Sequence, residues 1–125
     1  MELRNARHTE NLELIKEFYT QIIGLEVLFS FENHNNYSGV FIGKKDHDWH
    51  LEFTASKNKA EHKFDIDDLL VFYPASKGEY NKIVERIESN GIKKFKAKNP
   101  FWNENGIMIK DPDGFGVIVS NFKIK

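Results

Sequence analysis

The stretch IMIKDPDGFGVIVSNF, residues 107–122, decides how the rest of the chain is read. At its centre Asp111-Pro112-Asp113-Gly114 is built as a reversal. Asp opens a type I turn by bonding its own backbone, Pro presets φ at the next position, and Gly closes the turn. Runs rich in Ile, Met and Val flank it on both sides, so the segment is expected to be a terminal β-hairpin.

Working outward, the half of the chain that ends in this hairpin shows an order that the first half shares. Leu69–Tyr73 reads as a strand, and a helix from about Lys77 presents Tyr80, Ile83, Val84 and Ile87 on one face. Gly91 is its C-cap candidate, followed by strands over Lys93–Ala97, Gly106–Lys110 and Gly116–Phe122. In the first half an extended segment over residues 2–9 precedes a helix that Thr9 or Asn11 can cap, with Leu12, Ile15, Phe18, Tyr19 and Ile22 at helical spacing and Gly24 as its stop. Strand-like runs Leu25–Glu32, Ser38–Lys44 and Trp49–Thr54 follow, separated by ENHNNYSG and KKDHD. The two glycine stops fall at matching places, so the chain reads as a tandem repeat of one β-α-β-β-β unit: module one about 1–55, a polar linker about 56–67, and module two about 68–125.

The DPDG hairpin, preceded far upstream by a helix of the form LxxIxxFYxxxxGL (Leu12, Ile15, Phe18-Tyr19, Gly24-Leu25), resembles the glyoxalase / bleomycin-resistance / extradiol-dioxygenase superfamily, the vicinal-oxygen-chelate fold. The resemblance covers nearly the whole chain, and a small lactoylglutathione-lyase-like member is the nearest type. It implies an α+β fold of two βαβββ modules, whose curved, mainly antiparallel sheets form a cleft with the helices outside. It is specific for the fold and less so for the reaction, because this superfamily hosts metal-dependent lyases, dioxygenases and binding proteins alike.

Composition narrows the field. One domain of 125 residues, 40% hydrophobic with eleven Phe, can fill one core. A net charge of −1 with scattered lysines offers no basic stripe for a phosphate backbone, so nucleic acid is not an expected partner. Without cysteine there is no disulfide, thiolate nucleophile or Cys-based metal site. No window approaches the ~18–20 apolar residues that span a bilayer, so no membrane association is expected and the cytoplasm is the expected location. Exposed aromatic surface around Phe101-Trp102 and an open sheet edge lead us to expect a homodimer.

Strand alternation puts Arg4, Ala6 and His8 on one side of the first strand, and His50 with Glu52 on one side of the fourth. The first strand carries almost no apolar residue, as a wet edge or a polar lining would. Metal-using members of the superfamily place one His, Glu or Gln on the first and fourth strand of each unit, leaving open positions for two vicinal substrate oxygens. Carried over position by position, the resemblance puts Arg4 at the first place, Glu52 at the second, Asp68 at or beside the third and Ile118 at the fourth. Arg is always charged and Ile has no donor, so the four-ligand set is broken and no metal or other cofactor is expected.

The expected site is therefore Glu52 as general base, His50 or His8 as proton carrier, Arg4 as anchor for an anionic substrate, and Trp102 in the expected loop NPFWNEN as a stacking residue or a dimer contact. His50 and His8 can equally be partly buried histidines bonded to backbone, Asp68 in DIDD a solvated approach to a strand, and Arg4 a solvated residue on a frayed end. His34, His47 and His62 lie in turn- or linker-like sequence and read as solvated. Phe29, Phe31, Phe41, Phe53 and Phe72 read as packing, with any on the cleft side making the pocket apolar around a polar centre.

Three functions follow. The first is a protein that binds a small anionic organic molecule, a lyase or isomerase in type with an incomplete metal site. The second is a non-catalytic drug- or metabolite-binding protein of the bleomycin-resistance type, although capture of a cationic drug calls for a more acidic groove than a net charge of −1 suggests. The third is a metal-dependent lactoylglutathione-lyase-like enzyme, which needs His8 rather than Arg4 as ligand.

Overall fold

The structure, a computed structural model, describes residues Met1–Ile124. It divides into two compact units, Met1–His62 and the part from Lys63 onward.

In the first unit β1 (Leu3–His8) leads into α1 (Leu12–Glu17), followed by β2 (Glu26–His34), β3 (Tyr37–Gly43) and β4 (Trp49–Ala55). Of the two cap candidates, Asn11 takes the role, its Oδ1 accepting from Leu14 N–H at 3.1 Å. Thr9 is instead buried, its Oγ1 accepting from Asn11 N–H at 3.4 Å. After Glu17 the helix widens into a π turn over Phe18–Ile22, where Ile23 N–H reaches back to the Phe18 carbonyl at 3.2 Å. Phe18, Tyr19 and Ile22 are all buried there, and Gly24, at φ 93°, ends the run.

The four strands form one sheet in the order β1-β4-β3-β2, with β1 parallel to β4 and the other neighbours antiparallel. Val40, Ile42, Leu51 and Phe53 project from one face and are buried, as are Ile15 and Tyr19 of the helical segment that covers it. Tyr19 stacks on Phe53 with ring centroids 5.1 Å apart, a geometry worth about 0.5–1.5 kcal/mol beyond the area it buries. The opposite face carries Arg4, His50, Glu52, Phe41, Phe29 and Phe31 by the same alternation.

The second unit runs β5 (Leu69–Phe72), α2 (Lys77–Ser89), α3 (Pro100–Glu104), β6 (Gly106–Lys110) and β7 (Gly116–Ser120), with sheet order β5-β7-β6. Ser76 caps α2 by accepting from Glu79 N–H, and Gly91, at φ 64°, follows its end as its position suggests. Ile83 and Ile87 of α2 are buried, as are Val117 and Val119 of the β7 strand it packs on. The alternate residues Met108 and Ile118 join Ala97 in a separate apolar cluster against which Leu69, Val71, Phe95 and Trp102 pack.

Two local expectations need correction. Lys93–Ala97 is not a strand: only Phe95 bridges to Met108, and both backbone groups of Ala97 are taken by the Asn103 side chain, at 2.8 and 2.9 Å. The amide side chain fills the place a neighbouring strand would have. NPFWNEN is not a plain loop either, because Asn99 caps the short helix α3, with Pro100 at its first turn. Among the described residues no helix is long and apolar enough to cross a membrane.

The hairpin forms as its sequence dictates. Asp111 is 4% exposed, and its Oδ1 accepts from Asp113 N–H at 2.9 Å and Phe115 N–H at 3.1 Å while its carbonyl accepts from Gly114 N–H at 2.8 Å. Removing that carboxylate strands two backbone donors. Asp111→Ala is therefore expected to lower the unfolding free energy by about 1–3 kcal/mol in urea titration, and Asp111→Asn, which keeps an acceptor, by less. An unchanged midpoint for the Ala variant would contradict this reading of the turn.

Candidate functional site

The parallel register of β1 on β4 places Arg4 opposite His50, Ala6 opposite Glu52 and His8 opposite Thr54. On the next strand Phe41 lies beside Glu52, and beyond it Phe29 lies beside Phe41. One cross-sheet row therefore reads Ala6, Glu52, Phe41, Phe29, and Arg4 and His50 sit one pleat along from it.

Arg4 reaches over this surface. Its Nε donates to His50 Nε2 at 3.0 Å, its Nη1 lies 3.6 Å from Glu52 Oε1, and its guanidinium carbon stands 4.3 Å from the centre of the Phe41 ring. His50 also stacks on Phe41, with ring centroids 5.2 Å apart and 24° between planes. Phe41 is thus the floor on which both side chains rest, and a guanidinium over an aromatic face is held by the ring quadrupole. The Arg4 side chain remains 48% exposed and that of Glu52 14%, so the ion pair is half wet and itself worth no more than about 1 kcal/mol. Its Nη2 group has no protein partner among the described residues.

The other candidates sit elsewhere. His8 bonds Ser56 Oγ at 3.0 Å and meets the Tyr37 ring edge-on at 6.3 Å, two positions along the strand from Glu52. Trp102 packs on the Ala97, Met108, Ile118 cluster and edge-on against Phe101. Asp68 is exposed, and its Oδ2 accepts from Asp65 N–H at 3.1 Å within the turn before β5. His62, expected to be solvated, instead donates from Nε2 to the His8 carbonyl at 2.6 Å and pins the segment after β4. Sequence reading missed Phe41 as a support, though its place opposite Glu52 follows once the β3–β4 register is known.

The donor set can be tested against the metal that the superfamily resemblance implies. Arg4 has no lone pair to give, and Ile118 is fully buried among apolar side chains. Asp68 is committed to its turn, and among the described residues no three His, Asp or Glu side chains converge. The residues present do not fit a multidentate metal centre. A hollow of about 240 Å³ lined by Leu12, Glu13, Lys16, Val27 and Phe31 offers no better chemistry, since its Glu13 and Lys16 pair with each other at 3.1 Å.

Comparison with known proteins places this geometry. The crystal structure of YycE from Bacillus subtilis, described as a protein of unknown function and a suggested glyoxalase/fosfomycin resistance protein, matches with a TM-score of 0.86 at 35% identity, over 98% of this chain and 90% of that one. Trypanothione-dependent glyoxalase I of Leishmania major matches with a TM-score of 0.75 at 19% identity, over 98% of this chain and 87% of that one, a likeness of fold alone. The fold is that of the vicinal-oxygen-chelate superfamily. Within it, the YycE-like N-terminal domain matches residues 3–54 and the YycE-like C-terminal domain residues 67–121. The uncharacterized protein YycE of B. subtilis strain 168 is 35% identical over 126 residues, 98% of this chain and 88% of that protein. This chain belongs to the YycE-like family.

The Arg4–His50 bond fixes a tautomer. Arg Nε–H only donates, so His50 Nε2 is the acceptor and a neutral ring carries its proton on Nδ1. Long-range ¹⁵N–¹H correlation of the imidazole at neutral pH is expected to show the Nδ1–H pattern, reverting toward Nε2–H in Arg4→Met. An Nε2–H pattern in the unaltered protein would contradict the contact.

Proposed function

We propose that this protein binds a small organic anion on the open face of the first unit's sheet, with Arg4 as its anchor, and that Glu52 removes and returns a proton on the bound molecule with His50 as a hydrogen-bond donor beside it. The observation that carries the reading is the Arg4 guanidinium held on Phe41 by His50 and Glu52, with one amino group that has no partner among the described residues. A guanidinium holds a carboxylate or a developing oxyanion through its N–H donors but has no vacant orbital, so its chemistry is anion stabilisation without Lewis acidity. Loss of a proton beside a carbonyl needs a base and a holder for the oxyanion, and Glu52 and Arg4 supply both from neighbouring strands. The proton that Glu52 takes is returned by the same carboxyl group, and His50, offering Nδ1–H while Nε2 is engaged by Arg4, can donate a hydrogen bond to the developing oxyanion. The donor types at the four positions carried over from the superfamily favour a reaction without a resident metal. The lyase or isomerase type suits this trio.

The lactoylglutathione-lyase-like alternative, with His8 as ligand, draws no support from a His8 ring engaged by Ser56. The purely sequestering alternative differs from our reading at Glu52 alone.

Pyruvate tests both parts, since it joins a carboxylate to protons beside a carbonyl. Arg4→Met is expected to weaken its binding at least about tenfold, as loss of a charge-assisted contact should. Glu52→Gln is expected to keep binding and abolish protein-catalysed deuterium exchange of the pyruvate methyl group. Unchanged affinity in Arg4→Met would contradict the anchor, and exchange that persists in Glu52→Gln would contradict the base.

A further inference from the structure

The anchor does not stand alone on its face. Phe29, Phe31 and Phe41 form a continuous aromatic surface beside it, with ring centroids 5.6 Å apart for Phe29–Phe41, 6.3 Å for Phe31–Phe41 and 6.5 Å for Phe29–Phe31. Phe29 is 57% exposed, a large apolar ring presented to solvent next to a cation. The backbone beneath is shaped to this surface. A Cβ on Gly39 would stand 2.5 Å from Phe31 Cζ, so only a glycine lets the Phe31 ring lie across β3. The three rings and the guanidinium are contiguous, because the Phe41 ring that carries Arg4 also touches the other two.

We infer that the ligand is an aryl carboxylate, a molecule whose planar ring lies on Phe29 and Phe31 while its carboxylate meets Arg4. This rests on the anion-binding reading and narrows it to a chemical class. Each part has a reason. Arg4 directs Nε to His50 and Nη1 toward Glu52, so the carboxylate meets the guanidinium at Nη2, where it takes a hydrogen bond without displacing either partner. One such donor, half exposed, discriminates poorly among anions, and the remaining recognition falls to the surface next to it. That surface is aromatic and extends from the anchor across two strands, which suits a flat ring through offset or edge-to-face contact better than a compact polar anion. A phosphate or sulfate gains most from several donors at once, and at Arg4 the Nη2 group alone is left by its partners His50 and Glu52 among the described residues. A cationic aryl ligand would meet Arg4 head-on.

Calorimetric titration of the full chain with acetate, phenylacetate and phenylacetamide tests this. Phenylacetate is expected to bind at least about tenfold more tightly than acetate, as burial of one ring against the Phe surface would give, and also more tightly than neutral phenylacetamide. In Phe29→Ala, a substitution at an exposed position, the phenylacetate-to-acetate affinity ratio is expected to fall several-fold. Equal affinity for acetate and phenylacetate overturns the aryl inference and leaves anion binding standing. Phenylacetamide binding as tightly as phenylacetate overturns it as well, since the anchor would then be idle. If neither carboxylate binds, the anion-binding reading fails, and this inference with it.

Discussion

The parallel pairing of β1 with β4 sets where Arg4 stands relative to His50 and Glu52, and the candidate site depends on it. Its two ends are fixed by backbone bonds, Leu3 N–H to the Asp48 carbonyl and Thr9 N–H to the Thr54 carbonyl, each 2.7 Å. Between them, the register puts Arg4 across from His50 and within ion-pair distance of Glu52. A slip of one residue would turn Arg4 toward the helix-covered face and bring Asn5 and Arg7 to the open one. The Arg4–Glu52 pair is too exposed to hold the strand in place, so the strand holds the pair. On the covered face, Arg7 helps to fix the same register, donating from Nη2 to the Tyr19 hydroxyl at 3.2 Å and lying over the Phe53 ring. Two arginines three residues apart thus serve opposite faces, one packed into the helix layer and one laid on the open surface.

The units share a plan but not a chemistry. In the first, the face away from the helix carries a cation, a carboxylate, an imidazole and aromatic rings. In the second, the residues alternate to the α2 face, Met108 and Ile118 among them, enter an apolar cluster with Trp102. Ile118 there is packed among side chains that include no carboxylate or imidazole. A strand–helix–sheet plan repeated with four strands in one unit and three in the other therefore says where a site can be built, and the residues at each position decide whether one is.

Much of this was legible in the chain. Period-two alternation and turn chemistry mark β3, β4, β6 and β7 closely, because Val-, Ile- and Phe-rich runs bounded by Asn, Asp and Gly have few other readings. The face shared by His50 and Glu52 followed from the same alternation. What failed depended on side chains acting as backbone partners. Asn103 satisfies Ala97 and stops a strand that Lys93–Ala97 could otherwise continue, and Asn99 with Pro100 starts a helix too short for periodicity to reveal. His62 was unreadable for a similar reason, since its partner is a carbonyl in β1, far away in sequence. The support that Phe41 gives to Arg4 and His50 needed the three-strand register, which no local pattern supplies.

We propose that a guanidinium held beside Glu52 takes over part of the charge that a divalent cation supplies in metal-using members of the superfamily. Elemental analysis of protein purified without chelators tests it most directly. Ni, Fe, Zn and Mn contents are expected far below about one ion per chain, unaltered by Glu52→Gln. A stoichiometric content of any of these metals that disappears in Glu52→Gln would show that Glu52 is a ligand and that Arg4 has no such role.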